Sequence, residues 1–214
     1  MKLHWSPKSP FVRKVLLAAE ELGLADRIEK MRTVVIPSKP NPVLQQDNPL
    51  SKTPTLILDD GTRLYDSPVL IEYLDSLHEG RKMIPPAAPE RWIALRRQAL
   101  ADGMLDILTQ WRDENMRPQD KQSQPMLAAY RSKITASLDR LENEIHDVAR
   151  TPFDVAHIAI GCMLAYLDFR FPQIEWKPGR PALLAWYQEF SKRPAVLATQ
   201  PVDDQAAPPP VHFT

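Results

Sequence analysis

The run Ser9-Pro10-Phe11-Val12-Arg13 follows a short apolar stretch at Leu3-His4-Trp5, and its reading decides the fold. Serine is favoured just ahead of a helix, where its oxygen accepts an orphan backbone N–H. Proline is favoured at the first helical position, where a missing N–H costs nothing. Downstream, Phe11, Val12, Val15, Leu16, Ala19 and Leu22 keep a helical stripe, and Gly23 supplies the stop. A hydroxyl at this point faces unpaired N–H groups and the positive end of the helix dipole, a place suited to an anion. Taken alone, an ordinary capping serine explains the same residues. Two later segments narrow the reading.

In Asn48-Pro49-Leu50-Ser51-Lys52-Thr53-Pro54, a proline stands at the head of the β-rich run Thr55–Leu58, which Asp59-Asp60-Gly61 closes as a hairpin signal. Pro54 cannot donate to a ladder, so it belongs at the strand's first residue or edge. The sequence leaves the Thr53–Pro54 bond open between cis and trans. A cis bond would turn the Thr53 backbone outward, free to pair with an extended peptide. In Arg63-Leu64-Tyr65-Asp66-Ser67-Pro68-Val69, a three-residue strand runs into a helix bearing Val69, Leu70, Tyr73, Leu74 and Leu77. Ser67 is expected as the cap and Pro68 as the first helical residue, repeating the device at Ser9. A second helix N-terminus for an anion, with Asp66 beside it for a cation, suits the head group of an amino acid.

At 214 residues, with 43% hydrophobic content, the chain holds one large domain or two small ones with a real core. Lys+Arg and Asp+Glu are both 27, and zero net charge gives no reason to expect nucleic acid or an anionic membrane as partner. A single cysteine, Cys162, excludes an internal disulfide and fits a reducing compartment. The start at Met1, running straight into strand, leaves no room for a signal peptide, so a cytoplasmic protein is expected. No apolar run approaches the ~18 residues of a membrane span.

Residues 1–77 read as strand, helix, strand, loop, strand, hairpin, strand, helix: βαβ followed by ββα. The second strand is expected at Met31–Ile36, with at most a short helix after Asn41. Residues 78–89 are polar and proline-bearing, a linker. Residues 90–200 read as all-helical: one helix through Trp92, Leu95, Ala99, Ile107, Leu108 and Trp111, with a bend near Gly103; one through Leu127 to Val148; one opened by Thr151-Pro152-Phe153-Asp154; and one over Pro181–Lys192. Thr151 with Asp154 three residues on reads as a capping box. Residues 201–214 form a tail with little periodicity.

The three N-terminal segments together resemble the thioredoxin-like domain of the soluble glutathione S-transferase superfamily, and the helical half resembles its second domain. The resemblance spans nearly the whole chain and is nearest to a bacterial serine-type branch with Ser9-Pro10-Phe11-Val12-Arg13-Lys14, Asp66-Ser67-Pro68 and Tyr166-Leu167-Asp168-Phe169-Arg170-Phe171-Pro172. It implies an α/β thioredoxin-like domain, βαβ-ββα, followed by an all-α bundle. It also implies a homodimer and a glutathione transferase acting on small, largely apolar electrophiles. Ser9 then lies where the serine-type enzymes carry their catalytic hydroxyl, with Phe11 beside it. Thr53-Pro54 lies at the cis-proline loop, and Asp66-Ser67 match the pair that holds the γ-glutamyl group. Ser51 stands where a glycine is common, and Pro68 where an arginine is frequent.

On this reading Ser9 donates a hydrogen bond to the glutathione sulfur, and Ser6 is a rival hydroxyl in the same loop. Thr53 pairs its backbone with the cysteinyl unit, and Lys39 and Lys52 are the nearest cations for the glycyl carboxylate. Trp5, Phe11, Met104, Trp111 and Tyr166 are candidates for the electrophile pocket, although aromatic and Met residues at helical spacing also serve as plain core. Asp154 and His157 stand one helical turn apart, but two ligands do not make a metal site, and no metal is expected. Cys162 lies on an apolar stripe as packing. The reading from a different class is a non-catalytic module on the same fold that binds glutathione, another ligand or a protein.

Overall fold

The computed structural model describes residues 1–204. Four strands, β1 (Lys2–Trp5), β2 (Glu29–Arg32), β3 (Thr55–Ile57) and β4 (Arg63–Leu64), form one sheet in the order β2-β1-β3-β4. β2 runs parallel to β1, whereas β3 pairs antiparallel with β1 and β4 antiparallel with β3. Helices α1 (Pro10–Glu21), α2 (Pro42–Asp47) and α3 (Ser67–Ser76) complete this part. The connection from β1 to β2 through α1 is the parallel crossover that a twisted sheet favours.

Further along come α4 (Glu90–Asn115), α5 (Gln124–Arg150), α6 (Val155–Arg170), α7 (Pro181–Phe190) and α8 (Pro194–Ala198), with no strand among them. The thioredoxin-like half followed by a helical half is thus the observed order. By contacts the chain divides into Met1–His78 together with the stretch from Ala198, and Glu79–Leu197. The stretch 198–204, expected as the end of the helical half and the start of a tail, packs with the first unit. Residues 205–214 of the expected tail lie outside the described residues.

In the first unit, Val12, Val15, Leu17, Ala18 and Ala19 of α1 pack with Leu70, Ile71 and Leu74 of α3 and with Leu3 and Leu56 of the sheet, all fully buried. In the second, α6 is buried almost throughout, from Val155 to Leu167. That is why its sequence is apolar on every face.

Several local readings shift. The second strand lies at Glu29–Arg32, not Met31–Ile36, because β1 ends at Trp5 and pairs no farther than Arg32. Beyond it Ile36 makes only an isolated bridge to Lys39. The cap of α3 is Asp66, with Ser67 already helical: Leu70 N–H bonds the Asp66 carbonyl at 3.1 Å. Thr151 ends α5 rather than opening α6. Its hydroxyl bonds the Val148 carbonyl at 2.9 Å, and Asp154 caps α6 by accepting Ala156 N–H at 2.9 Å. The capping box is therefore Asp154 with His157, whose Nδ1 lies 3.2 Å from the Asp154 backbone nitrogen. The last expected helix, Pro181–Lys192, is α7 and ends at Phe190; a further short helix, α8, follows from Pro194. A short helix after Asn41 is present, and the Asn41 side chain caps it.

Candidate functional site

Sheet direction gathers the site. β1 delivers the loop 6–9 at its C-terminal end. The register pairs His4 with Thr55 and Leu56 with Leu64. Antiparallel pairing therefore puts the start of β3, with Thr53-Pro54 just before it, and the exit of β4, with Asp66-Ser67 just after it, at that same end. β2, parallel to β1, sends the Lys39-bearing loop from this end as well. The N-termini of α1 and α3 both open here, two partial positive charges on one rim.

Ser9 caps α1. Its Oγ accepts the Val12 N–H at 3.3 Å, and its carbonyl accepts the Arg13 N–H at 3.0 Å. A hydroxyl has two acceptor lone pairs and one proton. The cap occupies a lone pair and leaves the proton available to a ligand. Ser6 is engaged differently, its Oγ taking the Lys8 N–H at 3.4 Å and its carbonyl the Ser9 N–H at 3.2 Å. A cavity of about 300 Å³ lies beside Ser9, between Trp5, Ser9 and Leu16 on one side and Ala198, Val202 and Asp204 on the other.

The Thr53–Pro54 bond is cis, as are Tyr65–Asp66 and Ala88–Pro89. Thr53 is half-buried, and neither its N–H nor its C=O has a partner among the described residues. The loop is pinned on either side. Asn48 Nδ2 and Thr55 Oγ1 both bond the Lys52 carbonyl, at 3.2 and 2.8 Å. Ser51, where glycine was noted as common, has φ 51°, the left-handed region that glycine favours. Its hydroxyl accepts the Asn41 N–H at 2.8 Å, a bond that glycine would forgo.

Asp66 is exposed, and Ser67 is only 1% exposed. Ser67 Oγ accepts a hydrogen bond from Lys14 Nζ at 3.2 Å. Lys14, on α1, is fully buried. Sequence reasoning missed it, although the signal was there: with Leu17 and Ala18 it forms an i, i+3, i+4 set that is apolar but for this one charge. Lys39, Lys52 and Asp66 are exposed, and Phe11 is half-buried on the first turn of α1.

Of the other pocket candidates, Trp5 lines the cavity beside Ser9. Met104, Trp111 and Tyr166 lie inside the helical unit, each at most 4% exposed. Trp111 and Tyr166 pack around Phe171, with ring centroids 5.5 and 6.4 Å away. The Tyr166 hydroxyl receives Arg112 Nη1 at 3.4 Å. Burial raises its pKa above the ordinary tyrosine value against the pull of Arg112 and Arg170. Cys162 is buried. Among the described residues no group of three or more His, Cys, Asp or Glu could hold a metal, and no helix is long and apolar enough to cross a membrane.

The same two halves recur in known proteins. Residues 8–77 match the glutathione S-transferase N-terminal domain and residues 98–189 the glutathione S-transferase C-terminal domain. A glutathione transferase family member from Pseudomonas fluorescens Pf-5, solved with bound glutathione, superposes with a TM-score of 0.92 at 43% identity, over 94% of this chain and 99% of that one. A structure of a family member from the same strain, with bound S-(propanoic acid)-glutathione, gives 0.87 at 41% identity over the same shares. An uncharacterized GST-like protein of Escherichia coli (strain K12) is 32% identical over 203 residues, 94% of this chain and 98% of that protein. With both domain families matched in order and relatives aligned nearly end to end, the chain belongs to the glutathione S-transferase family.

Proposed function

We propose that this protein is a glutathione transferase in which the Ser9 hydroxyl stabilises the glutathione thiolate for attack on small, largely apolar electrophiles. One observation carries the reading: Ser9 accepts the Val12 N–H while its own proton stays available, beside an open cavity. An unperturbed thiol has a pKa near ~8.5. Lowering it to ~6.5 requires about 2.7 kcal/mol of preference for the thiolate. A hydrogen bond to a charged group contributes about 1.5–3 kcal/mol, and a helix N-terminus about 0.3–2. Those two effects suffice without a metal or a dedicated base.

The thiol proton leaves to water, and the sulfur lone pair forms the new carbon–sulfur bond. In a substitution the leaving group departs with its electron pair. In an addition the acceptor takes that charge and a proton from water. Asp66 receives the γ-glutamyl ammonium. Ser67 and the α3 N-terminus, beside the buried Lys14 charge, receive its carboxylate. Thr53 pairs its free N–H and C=O with the cysteinyl unit, Pro54 and Phe11 flank it, and Lys39 or Lys52 meets the glycyl carboxylate. Trp5 and Phe11 face the electrophile. The relative holding S-(propanoic acid)-glutathione supports a site that accepts a glutathione thioether.

The working form is a homodimer in the cytoplasm; a monomer in sedimentation at micromolar concentration would refute the first part. The test of function is calorimetric titration with glutathione, followed by a panel of electrophiles at saturating glutathione. Thioether formation with an ionised bound thiol is expected. Binding without turnover of any of them would point instead to a ligand-binding module.

A further inference from the structure

The segment from Ala198 to Asp204 runs back over the loop that carries Ser9. Val202 N–H bonds the Pro7 carbonyl at 3.2 Å. Lys8 Nζ meets Asp203 Oδ1 at 2.7 Å and Asp204 Oδ1 at 3.5 Å. Asp204 Oδ2 takes Arg32 Nε at 2.8 Å and Nη2 at 2.7 Å. Arg32 in turn bonds the Thr33 carbonyl at 2.8 Å and lies over the Trp5 ring, 5.9 Å from its centroid. This strap therefore ties the loop to the end of β2. Within the loop, the Ser9–Ser6 and Lys8–Ser6 contacts, at 3.2 and 3.4 Å, lie at or past the long end for a hydrogen bond, and Ser9 is otherwise held by its two bonds to the first turn of α1.

We propose that Asp203 and Asp204 are positioning residues for Ser9, holding the loop so that its hydroxyl points at the glutathione sulfur. This rests on the role given to Ser9 above. A donor stabilises an anion only at the right distance and angle, and a loop site is only as exact as what braces it. The charged groups around it are Lys8, Arg13, Lys30, Arg32, Asp203 and Asp204. Bare electrostatics predicts the opposite result to positioning. Removing two carboxylates near a thiolate, and freeing Lys8, would lower the thiol pKa, whereas a loosened Ser9 raises it.

The test uses the full chain saturated with glutathione, its thiolate absorbance titrated against pH. Asp203→Asn with Asp204→Asn should raise the bound-thiol pKa by roughly half to one unit and cut turnover at neutral pH about three- to tenfold, with KM for glutathione unchanged. Asp204→Glu should stay near the parent. Molar salt should move the parent toward the double variant, because these pairs are partly solvent-exposed. In a Ser9→Ala background the two substitutions should hold the titration or lower it, because only their electrostatic effect remains. A pKa that holds or falls in the double variant, or an equal rise without Ser9, overturns the strap's role while Ser9 keeps its own. A parent-like titration in Ser9→Ala alone overturns both.

Discussion

Lys14 Nζ, with its side chain wholly buried, donates to Ser67 Oγ at 3.2 Å and so joins the first turns of α1 to the start of α3. That leaves the Ser67 proton for a ligand, with an ammonium directly behind it. Ser67→Ala and Asp66→Ala are each expected to weaken glutathione binding by about 1–3 kcal/mol. Lys14→Met should weaken it about as much, with a loss of thermal stability of about 1–3 kcal/mol, because it removes one partner from a buried polar contact. Calorimetry and a melting curve on the same three variants check both halves. Unchanged affinity in all three would remove the γ-glutamyl assignment.

Ser9→Ala should cost about 0.5–2 kcal/mol of cap energy and leave the fold intact. Glutathione should still bind through Thr53, Asp66 and Ser67, but its thiol should titrate higher, seen as lost thiolate absorbance near neutral pH. Ser9→Cys should exchange transferase activity for mixed-disulfide formation with glutathione, since a thiolate at a helix N-terminus is a competent nucleophile. Mass spectrometry after incubation with oxidised glutathione reads that adduct directly.

Acid should loosen the region around α2 early. Asp47 Oδ2 meets His4 Nε2 at 2.9 Å, and Oδ1 takes Arg63 Nε at 3.0 Å, tying α2 to β1 and β4. Burial alone would raise this carboxyl, but the hydrogen bonds and charges of His4 and Arg63 outweigh it and hold its pKa below the ordinary value. A depressed folded pKa means the contribution is full above the unfolded value, near ~4, and is lost as pH falls through the folded one. Asp47→Asn should therefore flatten the acid limb of stability against pH, while stability near neutrality drops. An acid limb of unchanged slope would show that other carboxylates govern it.

Gly161 faces Phe190 where α6 meets α7. A Cβ built there would stand 2.0 Å from the Phe190 Cζ. Gly161→Ala should destabilise by about 1–3 kcal/mol through overpacking. Phe190→Leu in the same protein should recover part of that loss. Chemical denaturation of the two variants and the pair measures the coupling.

The α6 cap should matter comparably. Asp154→Ala removes the acceptor of two backbone N–H groups and leaves His157, itself 6% exposed, without its carboxylate. The loss should sit at or above the upper end of the ~0.5–2 kcal/mol for a cap, since a buried partner is stranded as well. Thr151→Ala, which lies at the end of α5, should cost less, and the reverse order would restore the earlier assignment of the box.

What the sequence disclosed follows the range of the forces involved. The Ser9 cap and the turn at Gly61 are decided within a few residues, and each was legible. The start of α6 was misplaced because Thr151 and Asp154 are both capping types, and only packing selects between them. The β-branched run Val34-Val35-Ile36 has strand propensity but no neighbour beyond Arg32, and pairing overrides propensity. Lys14 was hidden in a helix that reads well without it. The strap depends on Arg32 meeting Asp204 across 172 positions of sequence, which no local pattern announces.

The sheet's two outer strands bear on how the protein keeps company with itself. β4 is two residues long, and β2 is Glu29-Lys30-Met31-Arg32, exposed at all but Met31 and charged at those three positions. Short and charged edges are poor templates for a strand from another molecule. A crowded solution of this protein therefore gains little by continuing the sheet from chain to chain, and fibrous association by that route is disfavoured. Any association between copies is then left to the helical and loop surfaces.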